Sequence, residues 1–119
     1  MAGLGRDVAK LGLPGAVDFE QSPLGGPVVR LSSGGSEATI ALFGGHVLSW
    51  TPAGGPPALY LSPLARLDSG KPVRGGIPVC WPWFADHPLE RSAPAHGYVR
   101  TRAWSPVETS CTGAAARVV

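Results

Sequence analysis

The sequence predicts an all-β, loop-rich fold, and three observations carry that prediction. Glycine and proline number 17 and 13, about a quarter of the 119 residues, a proportion near that of low-complexity chains. A hydrophobic content of 44%, four tryptophans and no internal repeat point instead to a folded chain. Short extended segments recur between Gly- and Pro-rich turns, which is the pattern of antiparallel strands. Between Lys71 and Arg102, prolines stand at 72, 78, 82, 88 and 94. Proline lacks a backbone donor and fixes φ, so that span is neither a helix nor a central strand. The length is that of one domain.

Residues 1–26 read as a loosely ordered leader, and 27–119 as the domain. Met1 to Lys10 has the makings of a helical turn, which Gly3, Gly5, Gly12 and Pro14 discourage. Pro27 to Leu31 is a strand rich in β-branched residues, followed by a Ser32 to Gly35 turn. Ser36 to Phe43 alternates, with Ala38, Ile40 and Leu42 on one face and Glu37, Thr39 and Ala41 on the other. This is a half-buried strand whose hairpin partner lies just upstream. After Gly44-Gly45, His46 to Trp50 is extended again, with His46, Leu48 and Trp50 sharing a face. Thr51 to Pro57 is a turn and Ala58 to Leu61 a short strand, while Asp68-Ser69-Gly70 supplies turn chemistry. Ala103 to Val107 starts a strand, Thr109 to Gly113 turns, and Ala114 to Val119 begins a strand with no evident partner.

A net charge of +2 with scattered basic residues lacks the dense footprint of a nucleic-acid binder. Cys80 and Cys111 occur without a Cys-x-x-Cys pattern or a histidine at zinc-finger spacing, so they read as two buried thiols in a reducing compartment. Arg6, Asp7 and Lys10 stand where a signal peptide places its apolar run, and no stretch approaches a membrane span. The expectation is a cytoplasmic protein with no membrane partner.

The stretch from Lys71 to Arg102 gathers what a site for a polar ligand needs. It holds Trp81, Trp83 and Phe84, five of the ten basic groups (Lys71, Arg74, Arg91, Arg100, Arg102), and His87 and His96. A loop with aromatic walls and cations fits a polar ligand. His46 reads as a strand histidine satisfied by backbone, since one titratable group without a visible partner is weak evidence of function. Arg74 has Asp68 and Asp86 as surface partners to hand, and Arg100 has Glu90 and Glu108, pairings of little energetic weight. His87 and Arg102 read as solvated loop residues. Trp81, Trp83 and Phe84 read as core and cleft wall, since burial is the commonest use of such rings.

Four segments resemble the hexose-6-phosphate mutarotases, the glucose-6-phosphate 1-epimerase branch of the aldose 1-epimerase superfamily. They are Gly44 to Trp50, Ala58 to Ser62, Pro72 to Phe84 with Arg74-Gly75-Gly76-Ile77-Pro78 at its heart, and Pro94 to Arg100 with its His-Gly-x-x-Arg pattern. The resemblance runs in order from about Val28 to Trp104. It implies an antiparallel β-sandwich of the galactose-mutarotase type, truncated to its N-terminal portion. The implied reaction interconverts the α and β anomers of an aldose phosphate such as glucose 6-phosphate. A base removes the proton of the anomeric hydroxyl, an acid protonates the ring oxygen, the ring opens, and it closes on the other face. No metal or organic cofactor is implied.

By that resemblance Arg74 is a substrate-site arginine and Arg100 its partner in binding the sugar phosphate, as suits planar charge-assisted donors. Ala95 stands where some relatives carry a polar side chain. His96 matches the first histidine of the superfamily site, near the reacting centre, and is the candidate catalytic residue. The family's general-acid histidine and general-base glutamate are implied beyond Val119, and none of Glu20, Glu37, Glu90 or Glu108 has the context of the base. The expectation is an N-terminal piece, itself catalytically silent or nearly so, because losing a positioned acid or base costs about 10²- to 10⁴-fold each. Two other classes stay open: a non-catalytic sugar-phosphate-binding module, and an interaction domain that pairs through exposed strand edges.

Overall fold

The computed structural model describes residues 5–119. Four strands form an antiparallel meander in sequence order: β1 (Val17–Ser22), β2 (Gly26–Ser33), β3 (Ser36–Ala41) and β4 (His46–Thr51). A separate hairpin, β5 (Thr109–Cys111) with β6 (Ala116–Val118), packs on β1 and β2. One helical turn, α1 (Arg6–Ala9), and a 3-10 turn (Val99–Thr101) are the helical elements among the described residues. Among the described residues no helix is long and apolar enough to cross a membrane.

The sheet is covered on both faces, which consecutive residues of β2 show directly. Val28 and Val29 point to opposite sides, yet only 4% and 1% of their surfaces are exposed. Val28 pairs with Ala41 and joins a core of Leu48, Ala65, Leu67 and Val73, so the chain between β4 and the proline-rich loop closes one face. Val29 pairs with Ile40 and, with Val118 and Val119, lines an apolar cavity of about 340 Å³ under the β5–β6 hairpin. Burying one valine contributes about 1.5–3 kcal/mol, so both layers matter to a chain this small.

The structure departs from the sequence expectations at five places. Val17–Ser22, placed by sequence in a loose leader, is strand β1, paired with β2 from Val17↔Leu31 to Ser22↔Gly26. Its acidic outer positions are balanced by Arg30 of β2, whose Nη2 lies 2.9 Å from Glu20 and 3.9 Å from Asp18. Ala58 to Leu61 is not a strand: it contributes one hydrogen bond from Ala58 N–H to Trp50 O and one bridge from Leu61 to Gly75. Ala103 to Val107 likewise makes a single bridge, Ala103 to Phe43. The last strand has a partner after all, because the predicted turn at Thr109 is β5.

The fifth departure matters most for the site. Between the pairs Thr39↔Ser49 and Ile40↔Val47, β4 carries one extra residue, a β-bulge. His46, opposite Ala41, therefore faces the Val28 core. Trp50, opposite Ala38, falls with Leu31 on the hairpin face. The bulge separates His46 from Trp50, which simple alternation had put on one face.

Candidate functional site

The corner Gly44-Gly45-His46-Val47, where β4 begins, ties the two arginine loops together. Gly44 has φ +81°, and a Cβ there would lie 2.5 Å from the carbonyl oxygen of Arg100. Only glycine fits so close a backbone approach. Gly44 N–H donates to Arg102 O at 2.7 Å, and Trp104 N–H donates to Leu42 O at 2.8 Å, zipping the Arg100 segment to the corner. On the other side, Val47 and Ile77 exchange hydrogen bonds of 3.1 and 2.8 Å.

His46 is the fastening of the Arg74 loop. Its side chain is 2% exposed, and Nε2 lies 2.6 Å from Gly75 O. A carbonyl only accepts, so Nε2 carries the proton and donates. The sequence reading of His46 as a strand histidine satisfied by backbone is the arrangement found. Arg74 itself is held through its main chain: its carbonyl accepts from Ser62 N–H at 3.0 Å, and Gly76 N–H donates to Tyr60 O at 2.7 Å. Among the described residues no carboxylate pairs with the Arg74 guanidinium; Asp68, the nearest sequence candidate, is taken by Arg66 at 2.6 Å. Hydrogen bonding to Arg66 holds the exposed Asp68 carboxyl below its ordinary pKa and raises the guanidinium's. Arg74 lines a cavity of about 310 Å³ together with Leu64, Ala65, Arg66, Ser69, Lys71 and Pro72.

The His96–Arg100 turn is built differently. Ala85 and His96 both have positive φ, 59° and 65°, and bond each other twice. His96 N–H donates to Ala85 O at 2.8 Å, and Ala85 N–H donates to His96 Nδ1 at 2.9 Å. Because Nδ1 is the acceptor, the neutral ring carries its proton on Nε2. The Phe84 ring lies against the imidazole, 4.8 Å between centroids. Arg100 Nη2 donates to Ala95 O at 2.9 Å, so the Ala95 carbonyl holds one end of the guanidinium. That contact uses one of five guanidinium N–H groups, and no carboxylate among the described residues takes the others.

The aromatic run divides. Trp83 is half-buried, donates from Nε1 to Pro94 O at 3.0 Å, and meets the edges of Tyr98 and His87 at 4.8 and 4.6 Å. Trp81 and Phe84 are not core: 64% and 76% of their surfaces are exposed. Nor are the cysteines two buried thiols, for Cys80 on this loop is half-buried and Cys111 in the short β5–β6 hairpin is exposed. His87 organises its own turn, its Nδ1 accepting from Leu89 N–H and Glu90 N–H at 3.0 and 2.8 Å. Glu90 in turn bonds Ser92, which lowers the carboxyl's pKa. No cluster of three potential metal ligands occurs among the described residues.

Sequence reasoning named Arg74, Ala95, His96 and Arg100, and the structure brings all four to loops fastened on the two sides of one corner. Lys71, read from sequence only as one of the basic groups of the loop, and Ser69, read as a turn residue, share the Arg74 cavity, while Arg100 does not. The available signal was the density of cations just before the Arg-Gly-Gly motif.

A family model described as aldose 1-epimerase matches residues 27–119. A protein of Escherichia coli (strain K12), designated a candidate glucose-6-phosphate 1-epimerase, is 45% identical over 69 residues, 58% of this chain and 23% of the relative. A protein of the same designation from Salmonella typhimurium is 41% identical over 69 residues, again 58% of this chain and 23% of the relative. The crystal structure of YeaD from Salmonella typhimurium, titled as a candidate mutarotase, superposes with a TM-score of 0.75 at 29% identity, over 86% of this chain and 34% of that one. HI1317 gives 0.76 at 30% identity, over 90% and 38%. The fold is that of the N-terminal portion of these antiparallel β-sandwiches. The chain spans about a quarter of the length of the curated relatives and just over a third of the solved structures.

Proposed function

The chain belongs to the aldose 1-epimerase family, and from that premise we propose that it supplies the substrate-binding part of a hexose-6-phosphate mutarotase. The observation that carries this reading is the pair of arginines. The loops that carry Arg74 and Arg100 are fastened to the Gly44–Val47 corner through the neighbouring residues Gly75, Ile77 and Arg102, and neither guanidinium is neutralised by a carboxylate among the described residues. Two such groups suit an anionic sugar phosphate, whose oxygens accept planar, charge-assisted hydrogen bonds.

In this reading Arg74 and Arg100 hold the sugar phosphate, and His96 presents its Nε2–H to a sugar oxygen near C1. With Nδ1 occupied by Ala85 N–H, His96 orients and polarises the substrate by donating a hydrogen bond, and proton transfer falls to other groups. The base that takes the proton from the anomeric hydroxyl and the acid that delivers one to the ring oxygen are assigned outside these 119 residues. The cleft then serves to position the ring for opening and reclosure.

Two-dimensional exchange NMR of glucose 6-phosphate, following the α and β anomeric protons, tests this. The 119-residue chain is expected to broaden the ligand's lines without adding exchange, and Arg74→Ala or Arg100→Ala to weaken the broadening selectively. Exchange well above the uncatalysed background would overturn the assignment of the acid and base elsewhere. Lines left sharp by the wild-type chain would overturn the sugar-phosphate reading.

A further inference from the structure

We propose that the cavity bounded by Ser69, Lys71 and Arg74 is a phosphoryl-binding subsite, with Lys71 as its second cation. For the identity of the ester this rests on the sugar-phosphate reading above; the affinity for a phosphate dianion rests on the cavity alone. The cavity measures about 310 Å³, at the small end of ligand sites and suited to a compact head group. Its apolar sides are Leu64, Ala65 and Pro72, and its polar groups are Arg66, Ser69, Lys71 and Arg74.

Charge within the cavity is not cancelled. Arg66 is paired with Asp68 through two hydrogen bonds, of 3.0 and 2.6 Å, so that pair is neutral together. Lys71 and Arg74 both line the cavity and have no carboxylate partner among the described residues, so its lining carries two uncancelled positive charges that a dianion would offset. Ser69 Oγ accepts from Lys71 N–H at 3.2 Å, which leaves the hydroxyl proton to donate. A planar fork from Arg74, a point charge from Lys71 and one hydroxyl make a donor set of the kind phosphate oxygens require. Arg100 does not line this cavity. In this assignment the phosphoryl end lies with Arg74, which leaves Arg100 and His96 to the sugar ring.

Amide chemical shifts of the ¹⁵N-labelled 119-residue chain, titrated with inorganic phosphate and separately with glucose 6-phosphate, test the subsite. Inorganic phosphate is expected to shift the amides of 69–74. Lys71→Gln should weaken its binding about tenfold, the weight of one charge-assisted hydrogen bond, and Lys71→Arg should restore most of it. Lys71 is exposed, so neither change endangers the fold; Arg102→Gln, an exposed cation outside the cavity, should leave the binding unchanged. Phosphate shifts confined to residues 95–102, or equal weakening by Arg102→Gln, would overturn the subsite. Phosphate binding at 69–74 with glucose 6-phosphate silent would uphold the subsite and sink the hexose-phosphate reading.

Discussion

Gly76→Ala tests whether the Arg74 loop is rigidly seated on the corner, with Gly34→Ala as its control. Both glycines have positive φ, +63° and +58°, so both substitutions carry the same left-handed backbone cost of about 1–2 kcal/mol. Reduced freedom of the unfolded chain returns about 0.4–1 kcal/mol in each case. The surroundings differ. A Cβ on Gly34 meets nothing within 4 Å, whereas one on Gly76 falls onto the Val47 carbonyl oxygen and within 2.9 Å of His46 Nε2. Relieving that overlap must part the loop from β4, disturbing the two Val47–Ile77 hydrogen bonds and the His46–Gly75 bond. At about 0.5–1.5 kcal/mol each, these add roughly 1.5–4.5 kcal/mol to the shared backbone cost. Urea unfolding followed by tryptophan fluorescence, with linear extrapolation, should give about 1 kcal/mol for Gly34→Ala and roughly 2.5–5.5 kcal/mol for Gly76→Ala. Costs agreeing within about 0.5 kcal/mol would show a loop that yields freely, and the argument that the corner presents Arg74 in a fixed pose would fail.

His46→Ala should destabilise the chain by about 1–3 kcal/mol through the stranded Gly75 carbonyl alone, and weaken binding of glucose 6-phosphate beyond what unfolding explains. His46→Gln, which keeps an N–H donor, should recover part of both effects; equal binding by wild type and His46→Ala under folding conditions would remove His46 from the positioning role. Asp68 offers a pH test. Its folded pKa is depressed chiefly by hydrogen bonding to Arg66, so the stability it contributes is present above the ordinary aspartate range and lost as pH falls through the folded value. Carboxyl ¹³C titration should place Asp68 below an ordinary aspartate and move it upward in Arg66→Gln, and an unmoved midpoint would refute the pairing.

What the sequence made legible follows the strength of local signals. The β-branched run of β2 and the alternation of β3 each mark a strand that the structure contains, with β2 extending to Gly26–Ser33. β1 escaped notice because Val17-Asp18-Phe19-Glu20-Gln21-Ser22 follows a Gly- and Pro-bearing stretch that reads as a leader, although its own alternation was there to see. Ala58-Leu59-Tyr60-Leu61 misled in the opposite direction. Its β-prone residues follow Pro56-Pro57, and they cross the edge of β4 and the Arg74 loop at single points rather than along a ladder. The bulge in β4 could not be read at all, since a period of two has no term for an extra residue. For the site, motif spacing found Arg74 and Arg100, which sit in fixed patterns. Lys71 and Ser69 belong to no motif, and only the fold shows that they share a cavity with Arg74.

The same geometry explains why a short Gly-Gly-His run should accompany two arginine motifs some thirty and more residues downstream. Gly44 admits the Arg100 backbone at a distance no side chain allows, and His46 reaches across to Gly75 from the opposite side of the corner. Without the bulge, simple alternation would leave His46 and Trp50 on one face. With it, the buried end of β4 faces the core while Trp50 faces the hairpin layer. Each arginine is thus fixed relative to β4 rather than to the other, and β4 is itself held in the four-stranded sheet. Neither guanidinium has a carboxylate partner among the described residues, so both keep their charge for an anionic ligand, and the loops that carry them are held by backbone already in place before it binds.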